Sequence, residues 1–159
     1  MATRRKFENP ENYDFGMNGR WSEVPESAWD PAARVAELDR EHIEAELIYP
    51  TYGLGMFGLK DHDYRYALIR AYNDWLAEFC AAAPRRLFGI AIVANDDVAR
   101  DVAELERCAK MGLRGAMMSI GRRDGSDWAD PRYEPLWAAA AALEMPVSLH
   151  VAASETAFH

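Results

Sequence analysis

From Asp30 onward the chain alternates two kinds of segment. Short, nearly continuous apolar runs occupy residues 45–50, 87–94, 113–119 and 145–151, and between them apolar residues recur every three or four positions. The first pattern suits strands and the second suits helices with one inward face. Asp30-Pro31 reads as an N-cap followed by proline at the first helical position, with Val35 and Leu38 turned inward. Asp61 can cap a long helix whose apolar face is Tyr64, Leu68, Tyr72, Trp75 and Phe79. Asn95-Asp96-Asp97 caps a third helix carrying Val98, Val102, Leu105 and Ala109 inward, and Gly112 is its natural stop. Asp130-Pro131 opens a fourth, with Tyr133, Leu136, Trp137 and Ala140 on one face and Met145 at its end. The run over 87–94 is apolar enough for a strand covered on both faces, and the last run reads as a buried parallel strand with His150 at its tip.

Four strands separated by helices, about thirty residues apart, are the signature of βαβ units around a parallel sheet. The handedness of crossovers then brings every strand tip to one edge, which carries Thr51, Asn95, Ser119 and His150. A complete eight-stranded barrel needs at least ~200 residues. Four βα steps make either a small open α/β sheet or about half of a barrel. Residues 1–29 lack this regularity. Asn9-Pro10, Asn12, Gly16, Asn18-Gly19 and Pro25 alternate with Tyr13, Phe15, Trp21 and Trp29, which predicts an ordered, irregular N-terminal arm that packs on something, ahead of a domain formed by residues 30–159.

Composition narrows the field. The 159 residues suffice for one ordinary core, and half of them are apolar or aromatic. A net charge of −8 argues against a nucleic-acid partner, and the short Arg4-Arg5-Lys6 run reads as a solvated terminus. No apolar stretch approaches the ~20 residues that cross a bilayer, and the first thirty residues lack the apolar core of a secretory signal. Cys80 and Cys108 fall on helices without a C-x-x-C, as expected of buried free thiols in a reducing cytoplasm.

Candidate chemistry gathers at the strand tips. A histidine there can be a metal ligand or general base, or can be satisfied by neighbouring backbone groups, and His150 is open to all three. Thr51, Asn95 and Arg122 are candidates for a substrate pocket by position. Arg122-Arg123 suits a solvated loop or a bidentate hold on a substrate carboxylate. The glycines at 53, 55 and 58 do not form a phosphate loop and read as a flexible lid. Ser148 and His150 share a strand face, but nothing supplies the G-x-S-x-G elbow of a serine hydrolase. Asp61, Asp63, Asp96 and Asp97 sit where N-caps belong, and His42 and His62 read as surface residues. His159 is the last residue.

Several segments, in order, resemble the amidohydrolase-related family, in the branch that includes aminocarboxymuconate-semialdehyde decarboxylase and the resorcylate decarboxylases. Residues 30–39 followed by Leu47-Ile48-Tyr49-Pro50-Thr51 resemble its second βα unit. The most similar stretch is Ala71-Tyr72-Asn73-Asp74-Trp75 through Phe79, with Pro84-Arg85-Arg86-Leu87-Phe88-Gly89 after it. Residues 103–107 with Gly112-Leu113-Arg114-Gly115, and residues 130–137, match further. Pro146-Val147-Ser148-Leu149-His150 is similar to the family's fifth strand, whose terminal histidine is a metal ligand. The resemblance covers roughly residues 30–152. It implies a (β/α)8 TIM barrel holding a divalent metal, commonly zinc, and hydrolysis or non-oxidative decarboxylation of a small carboxylated molecule. On that model His150 binds the metal through one nitrogen while another group orients its second.

Members usually carry His-x-His or Glu-x-His on the first strand and an aspartate on the eighth. No His-x-His occurs here. The expectation is therefore a partial barrel lacking the first strand and the last three, as truncation, a misread frame or a split gene would give. The competing expectation is a catalytically incomplete binding module, stabilised as a homo-oligomer that covers its open sheet edges.

Overall fold

The computed structural model describes residues 21–121 and 125–150. Four βα steps follow one another: α1 (Pro31–Arg40), β1 (Glu46–Ile48), α2 (His62–Ala81), β2 (Leu87–Ile92), α3 (Val98–Lys110), β3 (Gly115–Ser119), α4 (Glu134–Ala142) and β4 (Val147–His150). The strands lie in sequence order, all parallel, with Glu46 opposite Leu87, Ile90 opposite Gly115 and Ala116 opposite Val147. In that order, right-handed crossovers place every helix on one face of the sheet and every strand end on one rim. The architecture is a curled half-barrel, four strands of a (β/α)8 barrel with their helices outside.

The caps that the sequence announces are present. Asp30 accepts from the Ala33 amide at 2.7 Å, Asp61 from Tyr64 at 3.0 Å, and Asp97 from Ala99 at 2.9 Å. Asp130 caps a 3-10 turn, Pro131–Tyr133, and α4 begins only after it. The ends of α1, α3 and α4 share a device of which only one case shows in the sequence. The amides of Ile43, Leu113 and Met145 each reach back five residues, to the carbonyls of Leu38, Cys108 and Ala140, across a left-handed residue: His42, Gly112 or Glu144. This closes the helix, and it buries Leu113 and Met145 before the next strand starts, whereas Ile43 stays exposed. Glycine does it without strain; His42 and Glu144 take the same turn at some backbone cost.

Between helices and sheet lies the main core, built around Leu76, Leu87, Ala91, Val93, Leu105, Cys108, Ala116, Met118 and Leu136. Gly89 permits α2 to approach, since a Cβ there would come within 2.6 Å of Leu113 and 2.8 Å of Leu76. A second cluster, Phe57, Ile69, Ile90, Ile92, Ala94 and Met117, includes the opposite face of β2 and β3.

Three expectations change. The inner face of α2 centres on Arg65, Ile69, Asn73, Leu76 and Cys80, one position on from the expected stripe, of which Phe79 is still buried and Tyr72 still packs on the core. Two buried polar residues break the apolar pattern on the true face, whereas Tyr64 and Trp75 stand in solvent. Second, β4 is not a buried strand. It is an edge strand, partly covered, with Leu149 exposed, because no further unit packs on it among the described residues. Third, the glycine-bearing segment after β1 is not a flexible lid. It is a 3-10 turn, Tyr52–Gly58, which buries Phe57 and packs Gly53 too closely on Ile92 and Pro50 to admit a side chain. Of the irregular arm, residues 21–28 contain two short 3-10 turns, Trp21–Glu23 and Glu26–Ala28, the second packed on α1. Residues 1–20 lie outside the described residues.

Candidate functional site

Side-chain alternation decides what faces the inside of the curl. Ile48 and Val147 join the helix-side core, so Leu47 and Tyr49 on one edge, and Ser148 and His150 on the other, belong to the inner face. The Tyr49 hydroxyl lies 2.8 Å from Ser148 Oγ. Three interstrand spacings in a flat sheet would separate those strands by about 14 Å, with side chains standing parallel to one another. Only a sheet curled toward this face lets the two hydroxyls meet. The pair therefore spans the inner face just below His150.

His150 is half-buried, in register with Ser119, which is buried at the tip of β3. The His150 carbonyl accepts from the Ile120 amide at 3.2 Å, so the ladder persists to the rim. Asn95 follows β2 in a left-handed conformation, φ 58°, and is buried. With its amide oriented to donate, its nitrogen reaches the carbonyls of Val93 at 2.9 Å and Ala94 at 3.1 Å. Thr51 is exposed, at the start of the 3-10 turn after β1. Arg122 lies outside the described residues, as does His159. His150, Ser119 and the Tyr49–Ser148 pair are thus gathered on adjoining parts of the rim and inner face, while Thr51 and Asn95 lie on the loops beyond β1 and β2. The sequence reading does not single out Tyr49; its period-two relation to Leu47 is the signal that carries it inward.

Behind the rim, charged residues hold the loops. Asp96 is not a cap. Its carboxylate, almost wholly buried, pairs with the buried Arg65 guanidinium, which also donates to the Leu59 carbonyl. His62 is at the surface, as expected, and its Nδ1 lies 3.2 Å from Arg65 and 3.5 Å from Asp96. Asp63, likewise not a cap, receives a hydrogen bond from Arg100 at 2.8 Å. The Tyr66 hydroxyl donates to Asp101 at 2.9 Å and accepts from the Asp97 amide at 3.1 Å. Burial, then the Asp101 carboxylate, pushes that phenol well above its usual range.

Asn73 ties α2, β2 and α3 together. Its amide nitrogen donates to the Ile92 carbonyl and to Glu104, and its oxygen accepts the Ile92 amide, each at 2.9 Å. The β1 ladder stops opposite Gly89, so Ile92 has no strand on that side, and the buried carboxamide replaces it. Burial pushes Glu104 up. Hydrogen bonds from Arg107 and Asn73, with the Arg107 charge, more than offset this and hold the carboxyl below its ordinary value. At the opposite end of the strands, a cleft of about 260 Å³ is lined by Cys80, Leu87, Met111 and Arg114. Burial pushes the Cys80 thiol to about 11, and Cys108 rises further for the same reason.

The strand tips offer one imidazole among the described residues, His150. Among the described residues no three histidine, cysteine or acidic side chains are grouped to hold an ion, so these residues alone do not fit a metal.

Residues 13–159 match the family model described as amidohydrolase. The chain is 27% identical over 168 residues to a gamma-resorcylate decarboxylase of Rhodococcus jostii, covering 94% of this chain and 50% of that protein. Among solved structures, a 2,6-dihydroxybenzoate decarboxylase complexed with 2,6-dihydroxybenzoate superposes with a TM-score of 0.63 at 27% identity, over 74% of this chain and 38% of that one. A dihydroxybenzoic acid decarboxylase from Polaromonas sp. JS666, with bound manganese and 2-nitroresorcinol, gives 0.64 at 28% identity, over 74% and 37%. The chain spans half or less of the length of each of these relatives.

Proposed function

Since the chain belongs to the amidohydrolase family, we propose that it forms part of a divalent-metal-dependent decarboxylase for a small aromatic carboxylate, with His150 as one metal ligand. The observation that carries this reading is the place of His150. It ends a parallel strand on the rim of a curled half-barrel, where βα barrels bind ligands, in a chain whose relatives are decarboxylases. Thr51, Asn95 and Arg122 are the substrate-facing candidates on the same rim. The remaining ligands come from outside the described residues. Manganese, present in the Polaromonas relative, is the first ion to test, with zinc as the comparison. A cytoplasmic setting would keep Cys80 and Cys108 reduced.

The test is calorimetric titration of manganese into the metal-stripped chain and into His150→Ala, followed by 2,6-dihydroxybenzoate. Loss of an outer-shell partner alone costs about tenfold in metal affinity, so removal of a ligand should cost at least that. Acid binding should require the ion, and carbon dioxide release should follow from the loaded protein. Equal manganese affinity in both proteins rules His150 out as a ligand. Metal binding without turnover of any aromatic acid favours the other reading, an incomplete half-barrel acting as a binding module; the observation behind that reading is the single imidazole at the strand tips among the described residues.

A further inference from the structure

We propose that the Tyr49–Ser148 hydroxyl pair is a subsite for a hydroxyl group carried by an aromatic acid on the side of its ring opposite the carboxylate. The proposal rests on the aromatic-carboxylate reading above and adds where on the ring such a molecule is recognised. Both residues belong to the inner face by side-chain alternation, so their place holds whatever strands flank β1 and β4.

The insides of βα barrels are normally filled by bulky, branched apolar residues. β2 and β3 follow that rule with Ile90, Ile92 and Met117, all buried. Tyr49, Ser119, Ser148 and His150 break it. These departures share a direction. Ser148 lies opposite Met117, and His150 lies opposite Ser119 one step nearer the rim. A polar lining therefore starts at the hydroxyl pair and runs up to His150, above an apolar base. Interior positions that break the packing rule together mark a functional or strained site, and Tyr49 and Ser148 carry no left-handed backbone.

The pair also has bonding capacity to spare. Its oxygens lie 2.8 Å apart, and whichever hydroxyl donates, the other keeps its proton. Together they present one further donor and several lone pairs. A carboxylate only accepts, whereas a hydroxyl donates and accepts and can use both. Apolar surface stands beside them, since Leu47 and Tyr49 share a strand face and both are exposed among the described residues. A flat apolar body with a hydroxyl on its edge matches the two features. Spacing then sets where that hydroxyl sits. Ser148 and His150 are two residues apart on one strand, about 7 Å, comparable to the span from a carboxylate across a benzene ring to the opposite substituent. An acid whose carboxylate is held at His150 brings a para hydroxyl to the pair, while an ortho hydroxyl stays at the His150 end.

The experiment is equilibrium dialysis of benzoate, 4-hydroxybenzoate and 2-hydroxybenzoate against the full chain and its Tyr49→Phe/Ser148→Ala double variant, in buffer containing manganese. The unaltered chain should hold 4-hydroxybenzoate about fivefold more tightly than benzoate, the worth of one added neutral hydrogen bond. The double variant should lose that preference and keep its affinities for benzoate and 2-hydroxybenzoate. Equal losses for all three acids would assign the pair a packing role and overturn the proposal. An unaltered chain that shows no preference, or binds none of the acids, overturns it too, as does a variant that keeps the preference. Should the double variant lose its far-ultraviolet circular dichroism, Tyr49→Phe alone is read in the same way and should at least halve the preference. The metal reading fails separately. Unchanged manganese affinity in His150→Ala would remove that ligand, while a preference lost with the two hydroxyls would still establish the subsite.

Discussion

The central and edge strands of this sheet come from similar apolar runs but meet different fates. All five residues of β3 are buried, and in β2 only Phe88 escapes full burial; in β1 and β4 no residue is fully buried. The difference lies in the neighbours. β2 and β3 have a strand on each side, helices on one face and the Phe57 cluster on the other. β1 and β4 each lack a strand on one side among the described residues. The centre thus carries stability, while His150 and the Tyr49–Ser148 pair, the groups with chemistry to offer, sit on the edges.

The largest loss should come from Asn73→Leu. It strands the Ile92 backbone and Glu104 in the interior, at a cost of about 4 kcal/mol from several unpaired groups. Urea denaturation would read this as a lower midpoint, and a loss below about 1 kcal/mol would show that water replaces the carboxamide. Next, Ile92→Ala should cost about 3 kcal/mol, while Leu149→Ala on the edge should cost less than about 1 kcal/mol. Equal losses at the two sites would erase the distinction between centre and edge. Gly89→Ala should cost about 2 kcal/mol, because the added methyl meets Leu113 and Leu76.

The acid limb gives a further test. Glu104 is held below its unfolded value of about 4.5. Its contribution is therefore complete above that pH and is lost as pH falls through the lower folded value. Glu104→Gln should flatten the fall in stability below about pH 4.5, and an unchanged acid limb would assign the fall to other carboxylates. Smallest of all, Tyr49→Phe removes one exposed hydrogen bond and should shift stability by about 0.5 kcal/mol or less.

Much of this architecture is legible in the chain. Asp30, Asp61 and Asp97 mark helix starts, Gly112 marks an end, and four apolar runs about thirty residues apart give strand number and direction. These are local signals, set by one or two turns of backbone. His42 and Glu144 do the work of Gly112 without looking like it, because a left-handed residue need not be glycine where the next amide bonds back to the helix and closes the turn. The inner face of α2 is misread for a related reason: Arg65 and Asn73 are polar by type and interior by partnership, and their partners, Asp96, Glu104 and the Ile92 backbone, lie at least 19 residues away.

Of the candidate site, the sequence alone determined His150 at a strand tip and the common rim, since both follow from alternation and crossover hand. Only the tertiary structure decided that Tyr49 and Ser148 meet, 99 positions apart, that Asp96 pairs with Arg65 instead of capping α3, and that β4 has a strand on one side only among the described residues. Each depends on the curl of the sheet and on which strand has a neighbour. Residue type and spacing fix what a segment can become, but burial belongs to the assembled sheet.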